Sequence, residues 1–164
     1  RESVLRQFID KVRNNYDYII IDCNPALNLF TINALTACDS VIIPVQAEPY
    51  AIDGLNDLLH TIHNVKQKLN ANLVIDGILV TMYDSRTNLS KHITKEIHNN
   101  FGGKIRVFDS IIPNCVSAAE ASLAEQSPIL YSPKAASTLA YKKFAKEVIE
   151  NGKEIAKSKS EYVR

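Results

Sequence analysis

The chain has 164 residues, of which 46% are hydrophobic and 23% charged, an ordinary globular usage for one domain able to bury a sizeable core. Its 19 basic and 18 acidic residues leave a net charge of +1, which excludes bulk attraction to nucleic acid or membrane and confines any such contact to a local patch. Three scattered cysteines, Cys23, Cys38 and Cys115, form no CxxC pair, zinc quartet or disulfide framework, which suits a reducing cytoplasm.

In chain order, Val4, Leu5, Phe8, Ile9 and Val12 recur at helical spacing, with Lys11 and Arg13 near the end where basic residues suit the helix dipole. Tyr18 to Asp22 follows. Its run Ile19, Ile20, Ile21 is apolar on both faces, the pattern of a central parallel strand. Asp22 ends the run, and a carboxylate at that end of a strand sits where open α/β sheets bind ligands; from the residues alone it could equally cap the next turn. Pro25 to Asn28 predicts a turn, Leu29 to Cys38 a short helix, and Ser40 to Val45 a second buried strand closed by Pro44. Ile52, Leu55, Leu58, Leu59, Ile62, Val65 and Leu69 place one stripe on a helix from Asp53 to Leu69. His60 and His63 share that helix, but no Cys or carboxylate completes a metal set, so they are expected on a solvated face.

Leu73 to Met82 reads as a third strand with Gly77 inside it, followed by a polar loop from Tyr83 to Asn88. Leu89 to Phe101 is a helix stopped by Gly102 and Gly103, and Lys104 to Ile112 a fourth strand running into Pro113. A small helix covers Val116 to Leu123, a loop framed by Pro128 and Pro133 follows, and the final helix runs from Thr138 to Ile155 with Leu139, Phe144, Ala145, Val148 and Ile149 inward. Residues 153–164 form a charged tail expected to fray, leaving 1–152 as the domain. Strands alternating with helices predict an α/β fold, a mostly parallel sheet with helices on both faces.

Several stretches in order resemble one family. Tyr16 to Leu27 resembles the Walker B segment of the ParA/Soj partitioning ATPases, and Thr31 to Gln46 is similar to their next strand and turn. Leu79 to Ser90 resembles their TMxDxRTNLS loop, and Ile112, Pro113 and Ala119 to Ala121 their IPRNVRLSEA segment. The resemblance covers about residues 5 to 150 and implies a deviant Walker P-loop ATPase with its sheet helix-covered on both faces. It further implies a cytoplasmic, nucleoid-associated protein that binds ATP and Mg2+, dimerises around two nucleotides, binds DNA without sequence preference and answers to a ParB-type partner.

The same resemblance places Asp22 at a magnesium-bound water, with Pro25 beside it, and Pro113 and Asn114 at the adenine. It makes Arg86 a phosphate contact to DNA. Gln46 is either an ordinary loop residue or one near the dimer contact or the nucleotide. Asn24 stands where the family has a proline, and Asn114, Cys115 and Ser117 stand where it has Arg, Asn and Arg. Lys104 and Arg106 are candidates to replace the missing cations, and Cys115 is either a reactive thiol near the adenine or, as expected, a small apolar residue. The five glycines, at 54, 77, 102, 103 and 152, open no phosphate-cradling loop. That loop, its lysines and the water-positioning Asp are expected upstream, with this chain a fragment inactive alone and open along one sheet edge. Alternatives are a MinD-like positioning ATPase, which wants an amphipathic end helix where this tail is polar, a metabolic P-loop ligase, a nitrogenase-reductase-like carrier, which wants cluster cysteines, and a non-catalytic pseudo-ATPase.

Overall fold

A computed structural model describes residues 3–24 and 26–161, from 153 onward by backbone alone. The elements in order are α1 (Val4–Val12), α2 (Leu29–Ala37), β1 (Ser40–Gln46), α3 (Ala51–Lys68), β2 (Val74–Thr81), α4 (Asn88–Phe101), α5 (Val116–Leu123), α6 (Pro128–Tyr131) and α7 (Ala136–Glu161), with a short 3-10 turn after α1. The fold is α/β, with β1 and β2 paired in a parallel sheet through the α3 crossover. Packing divides the chain into two compact units, Arg1–Val41 with Ile52–Ile75, and Ile42–Ala51 with Asp76–Arg164.

In the first unit α1 packs on α2, but only Ile9 of the α1 stripe is buried, while Val4 and Phe8 stay exposed. α3 buries Leu55, Ile62 and Val65 and leaves His60 and His63 on its open side. No group of three or more potential metal ligands occurs among the described residues.

The expected strand Tyr18–Asp22 is not one. Residues 18–24 belong to no helix or ladder, and Ile20 is 91% exposed rather than buried. A strand exists only by hydrogen bonding to a neighbour, and none of the described residues pairs with this segment.

The second unit holds a core of Leu79, Phe108 and Ile112, against which Ile42 and three α7 residues, Ala140, Phe144 and Val148, pack. Phe108 is fully buried and meets Phe144 edge to face at 5.0 Å. Gly77 gives this ring its room: a Cβ there would stand 2.8 Å from Phe108 Cε2. Leu139 and Ile149 of α7, expected inward, are exposed, and the helix runs on to Glu161 rather than ending at Ile155.

Lys104 to Ile112 does not form the fourth strand. Residues 102–105 are a turn, and the segment touches β2 through one parallel bridge, Ile78 to Val107, made by Ile78 N to Arg106 O and Phe108 N to Ile78 O, each 2.9 Å, with one further bond from Ile112 N to Val80 O at 2.9 Å. The ladder stops because its next N–H group is taken elsewhere: Ser110 donates to the Glu147 carboxylate on α7 at 3.1 Å, beside Asp109, which donates to it at 2.9 Å.

Candidate functional site

In the first unit, Asp22 is an exposed carboxylate at the end of the extended stretch. It does not cap the following helix. Asn28 does that, its Oδ1 accepting from the N–H groups of Phe30 at 3.0 Å and Thr31 at 3.4 Å. Asn24 Oδ1 accepts from Ala26 N at 3.2 Å, an Asx turn, so the amide that stands in place of a proline bends the chain as an acceptor. Pro25 lies outside the described residues. Burial first, and then the charge of Asp22, push the Cys23 thiol up. A cleft of about 400 Å³ lies alongside the same stretch, lined by Ile9, Arg13, Tyr18, Ile19 and Ile21 among others, but Asp22 does not line it.

In the second unit three loops meet at the carboxyl ends of the strands, the edge at which open α/β sheets hold ligands. Ala47, just past Gln46, donates its N–H to Thr81 O at 3.2 Å, and Ser90 Oγ donates to Ala47 O at 3.3 Å. β2 leaves the sheet through Met82, a non-glycine residue at φ 52. Tyr83 then bridges in parallel to Pro113, donating to Ile112 O at 3.1 Å and accepting from Asn114 N at 2.9 Å. The Arg86 loop and the Pro113–Asn114 loop are therefore held side by side, with Gln46 at the end of the neighbouring strand.

Within that arrangement Arg86 is not a free cation. Its Nε and terminal nitrogen donate to the two Asp84 oxygens at 2.9 and 2.7 Å, and its backbone N–H donates to Oδ1 at 2.9 Å. These bonds from Arg86 pull the Asp84 carboxyl down to about 2, so the pair stays ionised throughout the neutral range. The guanidinium is 87% exposed, and Asp84 occupies two of its five N–H donors. Thr87 Oγ1 caps α4 by accepting from Ser90 N at 3.2 Å, which fixes the base of the loop.

Arg106, a candidate to replace a missing cation, is committed elsewhere. It donates to Glu147 Oε1 at 3.2 Å and lies over the Phe108 ring at 5.1 Å.

Sequence reasoning did not single out Glu147. It gathers Arg106 and the N–H groups of Asp109 and Ser110, and so anchors the segment that leads into Pro113 and Asn114. Burial pushes its carboxyl up, but the Ser110 and Asp109 hydrogen bonds and the Arg106 charge outweigh this and leave it below 4.5. A folded value below the unfolded one gives stability that is full above about pH 4.5 and is lost as pH falls through the folded value. Glu147→Ala leaves two N–H groups and a guanidinium without their acceptor and is expected to cost about 2 kcal/mol at neutral pH. Urea unfolding should show that difference shrinking in acid; a loss that persists unchanged in acid would contradict the assignment.

A family model described as AAA domain matches residues 1–75. The chain is 47% identical over 152 residues to the sporulation initiation inhibitor protein Soj of Bacillus subtilis, covering 93% of the chain. This chain is a homologue of the Soj/ParA partitioning ATPases over most of its length. The chromosome partitioning protein ParA of Caulobacter vibrioides is 42% identical over 151 residues, covering 91% of the chain. A cobyrinic acid a,c-diamide synthase from Mycobacterium smegmatis, crystallised with an ATP analogue and magnesium, is 31% identical at a TM-score of 0.75, covering 93% of the chain. The Soj/ParA homologue spans 59%, 56% and 54% of those three proteins, a little over half of each.

Proposed function

We propose that this chain is the C-terminal part of a ParA-type ATPase that binds Mg–ATP and hydrolyses it to drive partitioning of a chromosome, plasmid or mobile element. The observation that carries the reading is the 47% identity to Soj across 93% of the chain. The higher identity to partitioning proteins than to the 31% identical synthase favours DNA partitioning over a ligase reaction on the same fold.

Each unit holds residues that suit one part of the proposed nucleotide chemistry. Asp22 is a carboxylate released from capping duty, suited to a magnesium-bound water. Pro113 and Asn114 border the adenine, on a loop that Tyr83 and Glu147 hold in place. Bound magnesium would neutralise charge on the phosphates, and the protein's share is positioning. The phosphate-gripping backbone is not supplied by these 164 residues, whose glycines form no such loop. The polypeptide by itself is therefore inactive, and the whole protein works as an ATP-bound homodimer, cytoplasmic and nucleoid-associated, with a ParB-type partner. No helix among the described residues is long and apolar enough to cross a membrane.

Arg86 contacts DNA phosphate with the guanidinium edge that Asp84 leaves open. In the gene product that includes the upstream phosphate loop, Arg86→Ala should weaken ATP-dependent DNA binding equally across sequences. The slope of log affinity against log salt should fall by about 0.9 for each phosphate that is no longer neutralised. Fluorescence anisotropy across a salt series measures this, and an unchanged slope would remove Arg86 from the interface. ATP turnover by that same product, stimulated by DNA and abolished without magnesium, tests the reading as a whole.

A further inference from the structure

The segment leading to Pro113 and Asn114 runs beside β2 with chain to spare. Phe108 N bonds Ile78 O, yet the next bond to β2, at Val80 O, comes from Ile112 N. Four residues of the segment thus pass two of β2. In a regular parallel ladder Val80 O would take the Ser110 N–H instead. Glu147 on α7 removes that competitor. Its Oε2 accepts from Ser110 N at 3.1 Å, and its Oε1 accepts from Asp109 N at 2.9 Å and from Arg106 at 3.2 Å. The Glu147 side chain is 12% exposed, so these bonds lie largely out of water, where they are strong and costly to break.

The slack that Glu147 holds decides where the tip of the segment stands. With Ile112 on Val80, Tyr83 N reaches Ile112 O at 3.1 Å and Asn114 N reaches Tyr83 O at 2.9 Å. A ladder closed through Ser110 would carry the residues beyond it two positions, about 7 Å, along β2. At the tip the Pro113 carbonyl and the exposed Asn114 side chain make no hydrogen bond to any described residue, and so are open to a ligand.

We propose that Glu147 is a positioning residue for the nucleotide base: it keeps Ser110 off Val80 and thereby places Pro113 and Asn114. The nucleotide role rests on the reading that this loop borders the adenine; the control of register does not. Glu147 itself touches no ligand. Its loss therefore removes binding shared by substrate and transition state, which raises KM and leaves kcat.

The first test uses amide hydrogen exchange in the 164-residue chain. Without Glu147, Ser110 and Ile112 compete for Val80 O, so Glu147→Ala should speed exchange at Asn114 by about tenfold beyond any rise at buried Ile97 of α4. Glu147→Gln keeps one acceptor oxygen, should have a smaller effect, and serves if the alanine variant fails to fold. Exchange at Asn114 that rises no more than at Ile97 in either variant would overturn the proposal. The second test measures Mg–ATP turnover by a longer polypeptide that joins these residues to a phosphate-binding loop. There KM should rise about tenfold in Glu147→Ala and less in Glu147→Gln, with kcat nearly unchanged. Turnover with KM unmoved would overturn the nucleotide role alone. No turnover before any substitution would overturn the proposed function and that role with it.

Discussion

Phe108→Ala is expected to destabilise the second unit by about 3–5 kcal/mol, the usual range for deleting a buried ring. The ring is wholly buried, packs edge to face on Phe144, and has the Arg106 guanidinium over it. Its neighbours cannot collapse into the space freely. Gly77 contributes no side chain, and Leu79 and Ile112 belong to segments tied by backbone bonds. The loss is a large share of a domain's usual stability and should lower the melting temperature by roughly 10 °C. Leu123→Ala, at a site 87% exposed, is the control and should change stability by less than about 0.5 kcal/mol. Equal effects of the two substitutions in thermal unfolding would mean that the core does not centre on Phe108.

Asp22→Ala is expected to cost about 10- to 100-fold in magnesium-dependent ATP turnover, the range seen when an outer-shell metal partner is removed. The measurement is made on a longer polypeptide that joins these residues to a phosphate-binding loop, as the proposed function requires. Because Asn28 rather than Asp22 caps α2, the substitution should leave the melting temperature nearly unchanged. That separation distinguishes the magnesium role from a structural one. A drop in stability with turnover preserved would return Asp22 to the role of a turn residue.

The elements that sequence pattern located well are those whose partners lie close in the chain. β1, α3 and β2 form one crossover, and their apolar patterns match where they stand. The stretch from Ile19 to Ile21 carries the pattern of a central strand, yet pattern describes the strand and not its neighbour, and no described segment pairs with it. The exposed, β-branched run that results is an aggregation hazard. Lys104 to Ile112 failed for a different reason. Its apolar residues suit a strand, but Glu147, on α7, captures the Ser110 N–H that the ladder would need next.

The same contrast holds at the site. Asp22, Arg86, Pro113 and Asn114 could be singled out because they lie within contiguous motifs. The Asp84–Arg86 pair is short-range, but two residues of opposite charge two positions apart do not reveal a bidentate bond. The Tyr83–Pro113 bridge and the Glu147 anchor join segments far apart in the chain, and no local spacing encodes them. Cys115 Sγ lies 3.0 Å from Ser117 Oγ, a polar contact that a small apolar role does not include.

Calorimetric titration of Mg–ATP into the 164-residue polypeptide and into a longer polypeptide that joins it to a phosphate-binding loop tests the central claim most directly. The account predicts tight, magnesium-dependent binding by the longer polypeptide and none in the micromolar range by the 164 residues alone. Micromolar binding by the polypeptide alone would contradict it, because these residues would then supply a phosphate grip that their glycines do not form.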